Sequence, residues 1–266
     1  MDNYIDDFNF EGLGETWINF IKKYKFIILT IIFLIISLIV IWHNANTYPA
    51  VDVATEILKQ ENVYINDYDW LICEPPQNNT RGFIIYPGGN VKPEAYLPLA
   101  ERISELGFKS IIVSMPFNLA VFNSDAAIEV FYEYTDIDQW YIAGHSLGGA
   151  MAARFADLHS YKIDGLILMA AYPQEGYNLS RTEIPVLSIT ASNDKILNYN
   201  KYEKNKKYLP PSTKYVEIQG GNHSQFGWYG YQEGDGHASI NHRQQLNQVI
   251  NYIKELNATS ILTSES

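Results

Sequence analysis

The stretch WYIAGHSLGGAMAARFAD, residues 140–157, obliges the backbone to leave one kind of secondary structure and enter another within a few residues. WYIAG is a short apolar run of strand type, and AMAARFAD is an alanine-rich helix former. Gly144 closes the first run, and between the two stand Ser146 and the glycines Gly148 and Gly149. A turn this tight brings the strand and helix backbones so close that the residues facing each other must lack bulk, which is what glycine supplies. A glycine-x-serine-x-glycine string alone is common, so its meaning depends on what surrounds it.

The surroundings alternate. VDVATEILKQ reads as a short amphipathic helix, and VYINDYDWLICEP as an opening strand or hairpin broken around Asn66 and Asp67. GFIIYP is a buried strand, PEAYLPLAERISELG a helix entered at Pro93 and stopped at Gly107, and KSIIVSM the next strand. A helix around 125–134 follows, then WYIAG, the alanine-rich helix, strands GLILMAA and PVLSIT, a helix around 199–207, strand KYVEIQG and a last helix within 241–256. Alternation of this kind predicts an α/β fold with a mostly parallel sheet and helices on both faces. Function in such sheets gathers at the carboxyl ends of the strands. The gap between GLILMAA and PVLSIT is too short for a large cap domain, so an open or loop-covered site is expected.

Strand, tight turn and helix in that order make Ser146 a candidate nucleophile at a strained elbow, with the helix N-terminus aimed at the site. A serine hydroxyl needs a base to take its proton, and the base needs a third group to hold its tautomer. Asp194 lies just past PVLSIT and His223 just past KYVEIQG, both at the expected strand ends. Asp164 and Asp138 precede strands and so fall at the wrong edge, while Asp235 follows His223; His237 is the second choice of base. The oxyanion donors are expected to be the N–H of Leu147 and one from the YPGGN loop, Gly89 or, one position on, Asn90. His145 is expected to line a wall of the pocket or to pack, rather than to act as the base. Phe226, Trp228, Tyr229 and Tyr231 are expected either to wall a substrate pocket or to pack their loop against the sheet.

Together these residues resemble the α/β-hydrolase superfamily over about residues 60–257, and within it the compact dienelactone-hydrolase-like branch. YPGGNVKPEAYLPLAERISELGF resembles that branch's oxyanion loop and first helix, IAGHSLGGAM its elbow, and SNDKI and GGNHSQFG its acid and histidine loops. The resemblance implies an α/β-hydrolase fold and acyl chemistry. That branch uses a cysteine nucleophile where this chain has Ser146, so a lactone substrate is not implied.

The N-terminal part is separate. FIILTIIFLIISLIVIW, residues 26–42, carries no charge over seventeen residues, and spans roughly 25 Å as a helix. It is too long for the apolar core of a signal peptide, and HNANTYPA offers no small-x-small cleavage site, so an uncleaved anchor is expected. Lys22, Lys23 and Lys25 precede it and the next basic side chain is Lys59, which places the N-terminus in the cytoplasm and the large domain outside. Trp42 fits an interfacial anchor; Asp2, Asp6, Asp7, Glu11 and Glu15 weigh little in that rule. The predicted organisation is a cytoplasmic segment 1–25, a transmembrane anchor 26–42, a juxtamembrane segment 43–60, a hydrolase domain 61–257 and a flexible tail 258–266.

A formal charge of −11 without a basic stripe argues against a nucleic-acid partner. The single cysteine, Cys73, forms neither an internal disulfide nor a metal cluster, and buried packing is its expected role. Neither a metal nor an organic cofactor is required. The expected activity is hydrolysis of a small-molecule carboxylic ester; acyl transfer or amide hydrolysis would use the same triad. A non-catalytic hydrolase-fold binding module is the rival from another class.

Overall fold

The computed structural model describes residues 10–77 and 79–264 of the chain. It divides into two compact units, Met1–Asn46 and Thr47–Ser266.

In the first unit a single helix, α1, runs over Phe10–Ala45, starting well before the uncharged run. Its Phe20–Ala45 part has a mean hydropathy of 2.9 and is long and apolar enough to cross a membrane. Phe26, Phe33 and Leu38 are all exposed. Within this stretch the Thr30 hydroxyl is satisfied by the helix itself, Oγ1 donating to the Phe26 carbonyl at 2.9 Å, as an apolar medium would demand. Asp2, Asp6 and Asp7 lie outside the described residues.

The second unit is built on an eight-stranded sheet. Its strands are β1 (Val63–Ile65), β2 (Leu71–Cys73), β3 (Arg81–Tyr86), β4 (Lys109–Ile112), β5 (Gln139–His145), β6 (Gly165–Met169), β7 (Val186–Ala191) and β8 (Lys214–Ile218). The helices are α2 (Asp52–Thr55), α3 (Leu97–Ser104), α4 (Ala127–Glu133), α5 (Leu147–His159), α6 (Tyr199–Asn205) and α7 (His242–Ser264). The strand order is β1-β2-β4-β3-β5-β6-β7-β8. β1 and β2 form an antiparallel hairpin against β4, and every later pairing is parallel. The hairpin turns where Asn66 Oδ1 accepts from the N–H groups of Tyr68 and Trp70, the side-chain turn chemistry that asparagine favours.

The strands read as continuous apolar runs because both faces are covered. Phe83 and Ile85 of β3, Tyr141 and Ala143 of β5, and Ile167 and Met169 of β6 point into one core with α3 and α7. Their neighbours Ile84, Tyr86, Trp140, Ile142, Leu166 and Leu168 point into the other with α4 and α5. Cys73 is fully buried in the first core, and burial pushes its thiol up to about 12. α7 runs on to Ser264, into the segment expected to fray, and residues 265–266 lie outside the described ones. Residues 170–185, between β6 and β7, contain no helix, so no cap domain covers the sheet edge there.

β3 is paired with β4 on one side and β5 on the other. The chain leaves β3 toward β4, then returns across it to lay down β5 to β8 in the opposite direction. The carboxyl ends of β3 and β5 therefore flank the point where the winding reverses, which opens a crevice there.

Candidate active site

Ser146 stands at the end of β5 with φ 52° and ψ −120°, outside the ordinary regions for a residue with a side chain. Holding it there costs about 1–3 kcal/mol. The turn is fixed by the bond from the Ser146 N–H to the Met169 carbonyl and by the Ser146 carbonyl, which accepts from Ala150 as α5 begins. A methyl on Gly148 would sit 2.2 Å from the Pro87 carbonyl oxygen, and one on Gly144 would sit 2.5 Å from the Gly148 backbone. Both positions must therefore be glycine if strand, elbow and helix are to close as they do. The Ser146 hydroxyl has no hydrogen-bond partner among the described residues and faces a cavity of about 250 Å³.

His223 faces the same cavity. Its Nδ1 lies 2.8 Å from Asp194 Oδ2, and both side chains are essentially fully buried. The other carboxylate oxygen, Oδ1, accepts from the N–H groups of Ile196 and Leu197, each at 2.8 Å. A carboxylate held this way only accepts, so Nδ1 of His223 carries the proton and Nε2 is left as the base. Ser146 and His223 share the cavity without a hydrogen bond between them, a spacing that unliganded sites often have.

Opposite the elbow is the loop after β3. The Gly88 N–H donates to the Tyr96 hydroxyl at 2.8 Å, and the Asn90 N–H donates to the Asn118 carbonyl at 2.8 Å. The Gly89 N–H between them has no hydrogen bond among the described residues, nor has that of Leu147 at the first position of α5. Of the two alternatives in this loop, Asn90 is thus engaged elsewhere and Gly89 is not.

His145 does not line the cavity. It is buried beneath it, with Nδ1 2.8 Å from the Tyr96 hydroxyl and its ring 4.6 Å from the ring of His223. The Tyr96 hydroxyl thus shares one hydrogen bond with the Gly88 N–H and one with His145 Nδ1. Burial first, and the neighbouring His223 second, hold His145 well below the ordinary histidine range, so it is neutral. One hydroxyl thereby ties the loop after β3 to a ring that packs on that of His223.

The other expected pocket residues are also elsewhere. Phe226 is buried against His145 and Trp228 packs on His242, and neither these nor Asn90, the remaining candidate for the pocket, line the cavity. Tyr229 is core, and Tyr231 stacks on His237 at 5.2 Å. Phe226, Trp228 and Tyr229 pack their loop against the core, the second of the two expectations, while Tyr231 stays largely exposed. The cavity wall comes instead from the segments after β6 and β7: Tyr172, Gln174, Ile196, Leu197 and Asn198 join Leu147 and Ala150.

Two side chains that order along the chain does not reveal hold the histidine loop. Asp235, buried, accepts from the Ser224 N–H at 2.9 Å and the Gly236 N–H at 2.8 Å, with longer contacts to His223 and Lys195. Gln245 of α7, fully buried, both accepts from the Asn222 N–H and donates to the Asn222 carbonyl. Asp164 instead bonds the Trp140 N–H at the amino end of β5, away from the site. Among the described residues no group of acidic, histidine or cysteine side chains is placed to hold a metal.

A doubly covered, mostly parallel sheet with a strained serine at its reversal point defines a serine hydrolase of the α/β type. The chain belongs to the Alpha/beta hydrolase family, whose sequence pattern matches residues 82–247. No curated protein matches it in sequence. Among solved structures it is similar to a predicted CIB-like hydrolase from Thermoplasma acidophilum, with a TM-score of 0.55 at 12% identity over 74% of this chain and 98% of that one. It is also similar to Est1E from Butyrivibrio proteoclasticus in its ferulic acid-bound form, with a TM-score of 0.56 at 14% identity over 76% and 98% of the two chains.

Proposed function

We propose that this protein is a membrane-anchored serine hydrolase that cleaves a carboxylic ester through Ser146, His223 and Asp194. The observation that carries this reading is the buried Asp194–His223 pair opening on the same cavity as the strained, unbonded hydroxyl of Ser146.

In the proposed reaction Ser146 Oγ attacks the ester carbonyl carbon while His223 Nε2 takes its proton. Asp194 holds the resulting imidazolium in place. The N–H groups of Gly89 and Leu147 receive the oxyanion, and the start of α5 adds its positive dipole end. His223 then returns the proton to the leaving alcohol as its C–O bond breaks. Water, deprotonated by His223, releases the acid and restores Ser146. A cavity of about 250 Å³ is small beside the usual range for drug-sized ligands, which favours a compact acyl or alcohol group at the reacting centre.

α1 is the anchor, and the lysines at 22, 23 and 25 keep its start in the cytoplasm, leaving the hydrolase unit outside. A panel of p-nitrophenyl esters of graded acyl length tests the activity. Turnover strongest on short chains and abolished in Ser146→Ala supports the reading; equal turnover by wild type and Ser146→Ala overturns it. Protease added outside intact cells, with broken cells as control, tests the orientation: cleavage of the hydrolase unit only after breakage contradicts it.

A further inference from the structure

The segment from Ser114 to Ser124, SMPFNLAVFNS, has no charged residue. It nevertheless leaves Phe117 61%, Val121 48% and Phe122 62% exposed, with the two phenyl rings packed edge-on at 5.8 Å. Side chains of this kind gain by leaving water for an apolar surface. The exposure is built in rather than frayed. Met115 and Ala120 root the segment in the core beside α5, while Phe117 and Asn118 are held at φ 55° and 51°. A phenylalanine in left-handed backbone is uncommon and persists where the surroundings impose it.

The same segment is tied to the oxyanion loop, and through it to the chain that leaves the anchor. Asn90 donates its N–H to the Asn118 carbonyl and accepts at its own carbonyl from Tyr48 at 2.7 Å. The Lys92 N–H returns to the Tyr48 carbonyl, and the Val51 N–H to the Trp228 carbonyl. Tyr48 is six residues beyond Trp42, the end of the uncharged run. Six residues, about 20 Å even if fully extended, are thus all the chain that joins Tyr48 to the end of that run.

We infer that the exposed apolar side chains of residues 117–122 rest on the surface of the bilayer that α1 spans, so that the catalytic crevice takes esters presented at that surface. The inference rests on the proposed anchor. An uncharged apolar patch suits a zwitterionic lipid surface, whereas the net charge of −11 disfavours an anionic one.

The test uses the full chain in phosphatidylcholine vesicles carrying a nitroxide at a shallow acyl position. Phe122→Cys is labelled with an environment-sensitive fluorophore. Tyr161→Cys, 78% exposed between α5 and β6 at the opposite edge of the sheet, is the control. Cys73 is buried and the unsubstituted protein reports any labelling there. The expected result is loss of fluorescence at position 122 with none at 161. Co-floating protein with neither position quenched, or both quenched alike, overturns the inference and leaves the anchor standing. Protein that fails to float with the vesicles overturns the anchor and the inference together. Val121→Cys repeats the test should Phe122→Cys not fold.

Discussion

The ring of His145 lies 4.6 Å from that of His223, and Tyr96 grips its Nδ1 at 2.8 Å. The elbow histidine is therefore a support for the proposed base and is linked through one phenol to the N–H of Gly88. Removing that hydroxyl in Tyr96→Phe leaves the Gly88 N–H and His145 Nδ1 buried without partners. A loss of about 1–3 kcal/mol of stability is expected, with kcat falling more than KM rises because the oxyanion loop and His223 both lose a fixed point. Chemical denaturation and steady-state kinetics on one soluble ester check both; an unchanged kcat removes the positioning role.

Asp194 and Asp235 are both buried carboxylates bonded to the histidine loop, but only Asp194 touches the His223 ring. Asp194→Asn replaces an acceptor by a donor at Nδ1 and favours the wrong tautomer, so kcat is expected to fall by about 10³–10⁴-fold. Asp235→Asn is expected to cost stability more than turnover, since it acts on the backbone. Equal losses of kcat in the two variants would contradict the division of labour.

Burial holds both His145 and His242 below the ordinary histidine value. The unfolded chain then binds protons that the folded one refuses. The stability from neutral burial is fully present above about pH 6.5 and is lost as pH falls below it toward the folded-state values. Thermal unfolding from pH 7.5 to 5 should show a falling midpoint, with a shallower slope in His145→Gln. An identical slope in that variant contradicts the neutral assignment.

Gly148→Ala places a methyl where the Pro87 carbonyl oxygen is 2.2 Å away. Elbow and oxyanion loop must part, at a cost of about 1–3 kcal/mol, with loss of activity. Retention of full kcat at unchanged stability would show that the two backbones do not need this approach.

Much of the fold and of the candidate site is legible because it is written in local patterns. Apolar runs alternating with helix formers specify a doubly covered parallel sheet, and GHSLGG between WYIAG and AMAARFAD specifies the elbow. Asp194 and His223 follow from their positions just past strands, and the bond between them is the long-range consequence. What was not legible depends on packing across the chain. His145 reads as a wall residue until Tyr96, forty-nine positions earlier, is seen to hold it. The aromatics at 226–231 carry the same letters whether they line a pocket or fill a core. The cavity wall from Tyr172 and Ile196 to Asn198 comes from loops without periodicity. Chain order alone excludes Asp235 from the triad and says nothing of its bonds to the backbone around His223. One signal was present: a buried aspartate among glycines, in GDG, often bonds backbone N–H groups.

The central claim is that Ser146 attacks the substrate. Intact-mass analysis after treatment with a fluorophosphonate, followed by peptide mapping, measures it directly. A single adduct on Ser146 of the folded protein, absent from Ser146→Ala and strongly slowed in Asp194→Asn, is the predicted result. No adduct on folded wild type, or undiminished labelling of Ser146→Ala, would contradict it.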